Sequence, residues 1–427
     1  MPVMNMKSHI SLATIFRRIV IPIALISVLA GCAIRTGDSE LAFLQNGQLW
    51  TIRSDGTGAA QIAQGPVAGF AWAPKHNQMV FRTTSGGSPN GAPAPDAPGD
   101  LFIISVNGGS ALQITPRESG ILRSDAWWNP EGNRLLYRQT LLASGSAPEY
   151  YVSQADQPVG IARKLVWYAS GIPVLSADGS RVAAIDPAGN VRVGTPGKAG
   201  SIVAQHALAA EPGTNRPARL LWQPQHDALL FMRSSQAGID LVLQPLGATG
   251  HVILTLPQVV DVAFSPDGSS ILVETPGHLA LYALANTGTP QVQWPEPPGQ
   301  VLPWWSPDGT LLLVQDGEGL MLINPRTKQV QRVLRLHAPS APAASTEYWT
   351  PATGNPWNPT GEEIVFTAES GATWNGASLP APAKDVEGLY VTTVTSASIG
   401  PAHLIHSGSH LIPAWSSANP STVFLAA

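Results

Sequence analysis

Charge is scarce in this chain: Asp, Glu, Lys and Arg together make up 12% of the 427 residues, about half the share usual in soluble domains. There is a single cysteine, so no intrachain disulfide can form and stability has to come from packing. After the N-terminal region no window sustains a 3.6-residue apolar period, which argues against helical architectures. Basic runs never exceed the pair Arg163-Lys164, and the net charge is −4. The cationic footprint that nucleic-acid binding needs is therefore missing. No Gly-x-Ser-x-Gly pentapeptide occurs, which excludes a hydrolase built on a nucleophile elbow. Neither a calcium loop nor a Cys/His zinc spacing is present, so neither a metal nor another cofactor is expected.

What is abundant is turn chemistry. The 39 prolines and 41 glycines, with 44% apolar residues, suit short strands joined by many turns. Residues 1–31 stand apart. Lys7, Arg17 and Arg18 precede an apolar run from Ile19 to Ala30, which is short for a membrane span of about 20 residues. The run ends in Leu29-Ala30-Gly31-Cys32, which resembles the lipobox of bacterial lipoproteins. The resemblance implies cleavage before Cys32, lipidation of that residue, and anchoring to a bacterial membrane on its extracytoplasmic side. Residues 32–39 are then a tether. Residues 1–31 hold three of the 24 basic residues and none of the 28 acidic ones, so the rest of the chain carries 21 against 28, a net of −7.

From residue 40 onward one block recurs. Trp305-Ser-Pro-Asp-Gly309 places proline at the second position of a type I turn, aspartate at the third, and a glycine able to turn left-handed after it. The block returns at Trp72, Trp128, Leu175, Trp222, Phe264, Trp357 and, worn, at Trp415, each time followed by an apolar run. The spacing of about 40 to 58 residues is that of propeller blades. Hairpin signals fill the intervals, as in Leu41–Leu44, Asn46-Gly47, Gln48–Ile52. Each unit thus predicts four short strands, A to D from the centre outward, with the block turn joining A to B.

This grammar is similar to that of TolB-like and related WD-type β-propeller repeats, over residues 40–427. The resemblance implies a single all-β propeller domain and no particular activity. The chain starts with strands B, C and D and finishes with a strand A, Ile412–Trp415. Joined, these make a composite closing blade, for eight blades in all. Leu41–Leu44 and Val423–Leu425 compete for strand B of that blade. Seven blades is the alternative if the degenerate unit at Leu175 merges with a neighbour.

The chemistry-bearing candidates are few. His403, His406 and His410 cluster, but strand residues three apart point to opposite faces, so surface histidines are the simpler reading. The turn aspartates Asp178, Asp267 and Asp308 are structural. Asp96, Glu118, Asp125, Glu149, Glu211, Glu347, Glu369, Asp385 and Glu387 fall in predicted loops. They leave open a carbohydrate-active enzyme, glycosidase or lyase, built on paired carboxylates at the propeller mouth. Five long connections, Thr84–Gly99, Leu141–Pro148, Ala207–Pro217, His337–Asn355 and Glu369–Glu387, all fall on the B–C/D–A face. Trp349 and Trp374 sit in two of them, in polar surroundings with no strand pattern. The expected site is therefore Glu347, Tyr348, Trp349, Trp374 and Asn375, on a monomer that binds an envelope protein or glycan and is attached to the membrane by its lipid.

Overall fold

The computed structural model of the protein describes residues 40–415 apart from 64, 85–97, 107–108, 124–125, 144, 158–160, 209–218, 296–301, 317, 337–355, 383–386 and 409–410. Backbone contacts group Ser39–Ala427 into one compact unit. The expected targeting segment, Cys32 and the 32–39 tether lie outside the described residues.

Every regular element described is a β-strand, and the strands form an eight-bladed propeller. Blade five shows the pattern: Asp261–Phe264 (A), Ser270–Thr275 (B), His278–Ala283 (C) and Val292–Pro295 (D) pair antiparallel in sequence order. Blades one to four repeat it over Val67–Gln113, Ala126–Lys164, Val174–Ala204 and Leu220–Leu256. Blade six runs from Leu302 to Arg335. In blade seven the A position is reduced to Trp357, which bridges Ile364 inside strand B, Glu363–Ala368. Strands C and D follow as Glu387–Thr393 and His403–Gly408.

The unit at Leu175, which lacks both the tryptophan and the proline of the block, is nonetheless a complete four-stranded blade. Its turn explains why. Ser176 Oγ donates to Asp178 Oδ1 (2.6 Å) and accepts from Arg181 N (3.0 Å), and Gly179 N closes on Ser176 O (2.8 Å). In blade six the same bonds appear: Ser306 Oγ to Asp308 Oδ1 (2.6 Å), Leu311 N to Ser306 Oγ (2.9 Å), and Gly309 N to Ser306 O (2.8 Å), with Gly309 at φ 70°. The serine and the Asp-Gly pair are thus sufficient for the turn, and the tryptophan has another task.

That task is to join blades. Trp72 Nε1 donates to Ala414 O (3.0 Å), Trp128 Nε1 to Ala71 O (3.2 Å) and Trp357 Nε1 to Trp304 O (3.1 Å). Each bond runs from a block tryptophan to strand A, or its flank, in the preceding blade. The turns interlock as well: a Cβ on Gly132 would lie 1.9 Å from Pro74 O of blade one, so only glycine fits there.

The ring closes as expected. Strand A, Ile412–Trp415, pairs with Glu40–Gln45 in the register Leu41↔Trp415 to Leu44↔Ile412. Gln48–Arg53 and Ala60–Ala63 complete the sheet. Leu41–Leu44 therefore occupies strand B, while Val423–Leu425 lies outside the described residues. Eight apolar clusters fill the eight gaps between neighbouring sheets, and the cluster of Leu41, Phe43, Ile52, Val365, Leu389, Val391 and Trp415 seals blade seven to the closing blade.

Candidate functional site

In an antiparallel blade the A–B and C–D turns share one face of the ring, and the B–C and D–A connections share the other. The A–B turns are tight hairpins. The five long connections leave from strand ends on the opposite face: between strands B and C of blades one, two and seven, and between blades three and four and blades six and seven. That loop face is the candidate functional surface.

Glu347, Tyr348 and Trp349 lie outside the described residues. Trp374 does not present an exposed indole, contrary to expectation. It is 2% exposed, stacks on Phe366 (centroids 4.8 Å, 17°), and donates from Nε1 to Gly400 O (2.8 Å). Its segment is a strand pair. Thr373–Trp374 pairs with Ala377–Ser378 and with Leu334–Arg335, the outer strand of blade six. The B–C connection of blade seven thus folds across to blade six, and burial of a large apolar ring outweighs display. Asn375 is exposed at the hairpin tip with φ 47°, and its Oδ1 accepts from Gln331 Nε2 (2.7 Å). The dipeptide Asn375-Gly376 is itself a strong hairpin signal, and it would have exposed this strand pair in advance.

Of the loop carboxylates, Glu118, Glu149, Glu369 and Glu387 are described. Glu149 accepts from Tyr151 Oη (2.8 Å) and Lys164 Nζ (2.5 Å), and Glu387 Oε2 accepts from Leu411 N (3.1 Å). Glu369 is exposed. Glu118 belongs to a larger cluster between blades one and two. Arg123, wholly buried, donates from Nη1 to Gly99 O (3.1 Å) and Asp100 Oδ1 (2.9 Å), and from Nη2 to Glu118 Oε2 (3.1 Å). It pins the D–A connection of blade one to the mouth of that blade's B–C loop. Burial raises the Asp100 carboxyl above its ordinary value, against the pull of Arg123 and Arg117. Tyr137, stacked on Tyr151 at 5.4 Å, is pushed by burial to about 12. This cluster fastens the end of the blade-one B–C connection at Gly99-Asp100 to the connection entering blade two, with Arg123 buried and Glu118 half exposed.

A second feature is open. On blade four a depression of about 630 Å³ is lined by His206, Leu208, Arg233, Ser234, Ser235 and Asp240. These residues come from the D–A connection after blade three and from the facing ends of strands B and C of blade four, so the depression lies on the loop face. Its charged pair is Arg233 Nη2 on Asp240 Oδ2, at 2.9 Å.

The histidines do not converge. His403 is exposed, whereas His406 is half-buried, with Nε2 3.0 Å from Gln45 Oε1 and its ring 4.8 Å from Phe43; burial pushes it below its usual value. His410 lies outside the described residues. Among the described residues no group of three His, Cys, Asp or Glu side chains is placed to hold a metal ion.

No protein family matches the chain, and no curated protein matches it. Solved structures do. A structure described as the eukaryotic initiation factor has a TM-score of 0.53 at 9% identity, covering 89% of this chain and 99% of that one. The C-terminal WD40 domain of Sif2 has a TM-score of 0.50 at 13% identity, covering 87% and 92%. TolB from Acinetobacter baumannii has a TM-score of 0.38 at 12% identity, covering 90% and 69%, too low to argue from. At such identities the first two establish the propeller fold and nothing finer.

Proposed function

We propose that the protein is an envelope lipoprotein, lipidated at Cys32, whose propeller captures a protein or glycan partner on its loop face. The observation that supports this reading is the placement of all five long connections at the same strand ends, opposite the tight A–B turns. Long insertions in a compact fold are commonly functional, and a shared face turns five separate loops into one surface. Glu347, Tyr348, Trp349 and Asn375 belong to the proposed surface. Trp374 supports it from beneath, by holding its hairpin against Phe366.

Two experiments test the reading. Cys32→Ser should release the protein from the membrane fraction or leave it unprocessed; unchanged mass and partition would end the lipoprotein assignment. Capture from envelope extract, read by mass spectrometry, should weaken by about fivefold or more for Trp349→Ala if that side chain is a hot spot. Loss of capture on altering the A–B turn face instead would reverse the face assignment. The enzyme reading has one observation of its own, the Asp100–Glu118 pair shared by Arg123. Oligosaccharide turnover abolished by Glu118→Gln would favour it.

A further inference from the structure

We propose that the depression on blade four is a subsite for a neutral, polyhydroxylated ligand, a sugar unit of a glycan. The inference rests on assigning the loop face to partner binding and names the chemistry that one part of it takes. The walls are fixed by backbone pairing. Ala207 bridges Arg233, and Leu208 N donates to Met232 O at 2.8 Å, so the chain entering blade four runs back along strand B. This sets His206 and Leu208 beside Arg233 and Ser234. Across from them Asp240, 6% exposed, accepts from Arg233 Nη2 and, on its other oxygen, from Thr255 Oγ1 (2.8 Å). The hydrogen bond from Arg233, then that from Thr255, hold its carboxyl below the ordinary range.

Two consequences follow for a ligand. First, arginine and carboxylate cancel, whereas phosphate or carboxylate ligands are drawn by arginines left unpaired. Second, donors and acceptors alternate along the wall. The Arg233 side chain is 35% exposed, and its guanidinium has no partner other than Asp240 among the described residues. Its remaining N–H groups, the Ser235 hydroxyl on the same face of strand B, and the spare lone pairs of Asp240 line one edge. A hydroxyl group both donates and accepts, so adjacent sugar hydroxyls satisfy such an edge, while Leu208 offers an apolar contact for ring C–H groups. The depression, about 630 Å³, is shallow and open, which suits one unit of a longer chain lying across it.

The test is calorimetric titration of the full chain with neutral trisaccharides (maltotriose, cellotriose, chitotriose) and with trigalacturonate, at low and high salt. At least one neutral sugar should bind, with little salt dependence, and Arg233→Gln and Ser235→Ala should each weaken it about tenfold. Ser235 is exposed, so its variant tests the site without burdening the fold. Binding of no neutral sugar would overturn the proposal. So would binding of trigalacturonate alone with steep salt dependence, or variants that bind as the parent does. Envelope capture separates this from the face assignment: sugar binding lost in Arg233→Gln beside partner capture lost only on altering the A–B turn face would uphold the subsite and sink the wider reading of the loop face as the partner surface.

Discussion

Replacing single block tryptophans by phenylalanine should give opposite results at positions that look alike in sequence. Trp72, Trp128 and Trp357 are 3%, 8% and 1% exposed, and each donates its indole N–H to a carbonyl of the neighbouring blade. Trp415 is wholly buried, and its indole N–H has no hydrogen-bond partner among the described residues. Phenylalanine leaves a void of a few tens of Å³ at every one of these sites, which at about 24 cal/mol per Å³ costs roughly 1 kcal/mol. At the three bonded positions it also removes a hydrogen bond with a net contribution of about 0.5–1.5 kcal/mol. At Trp415 it instead removes a buried, unsatisfied donor, whose desolvation costs about 1–3 kcal/mol. The bonded positions should therefore lose roughly 2 kcal/mol, while Trp415→Phe should be near neutral or stabilising. Urea unfolding followed by far-ultraviolet circular dichroism reads the difference. Equal losses at Trp415 and Trp128 would refute the reasoning, because they would show that volume alone, not the indole bond, sets the role of the block tryptophan.

Arg123→Ala should cost about 1–3 kcal/mol, because Gly99 O and the partly exposed Asp100 and Glu118 carboxylates lose their shared donor; a loss below about 0.5 kcal/mol would show that water replaces it. Asp178 is held at about 2, below its ordinary 3.8, first by the Ser176 hydroxyl and then by Ser180. Its ionised form thus stabilises the folded state above pH 3.8, and that contribution fades as pH falls towards 2. Asp178→Asn should flatten the melting temperature against pH in that window, and an unchanged slope would contradict the turn assignment. Trp374→Ala should lower stability by about 3–5 kcal/mol, as truncation of a buried aromatic does; full stability with weakened partner capture would restore it to the binding surface. Deleting Ser409–Ala427 removes strand A of the closing blade and opens two sheet edges, so a truncated chain as stable and monomeric as its parent would place closure elsewhere.

The propeller was legible because its information is local and repeated. A Ser-x-Asp-Gly turn bonds within itself, so reading residues 306 to 311 is enough to know the hairpin, and three such turns among eight copies of the looser block at blade spacing leave few architectures. Closure was legible too, since a chain that opens on strand B and ends on strand A has one economical way to bury its edges. The competition for strand B was not, because Leu41–Leu44 and Val423–Leu425 have the same alternation, and only the paired register with Ile412–Trp415 distinguishes them. The hairpin of Trp374 was marked by Asn375-Gly376, but its docking on blade six was not. A strand two residues long carries no period, and its partner, Leu334–Arg335, lies about 40 residues away on another blade. The Arg123 fastening and the blade-four depression were invisible in sequence, since their members come from different strands and connections and meet only when blades close into a ring. Sequence alone determined what short-range hydrogen bonds and apolar alternation enforce, the blades and their order, while the choice of eight over seven came from the Leu175 unit forming its own four-stranded sheet. Only the tertiary structure decided which side chains face one another across a blade gap, because such contacts depend on distances between segments that no local pattern encodes.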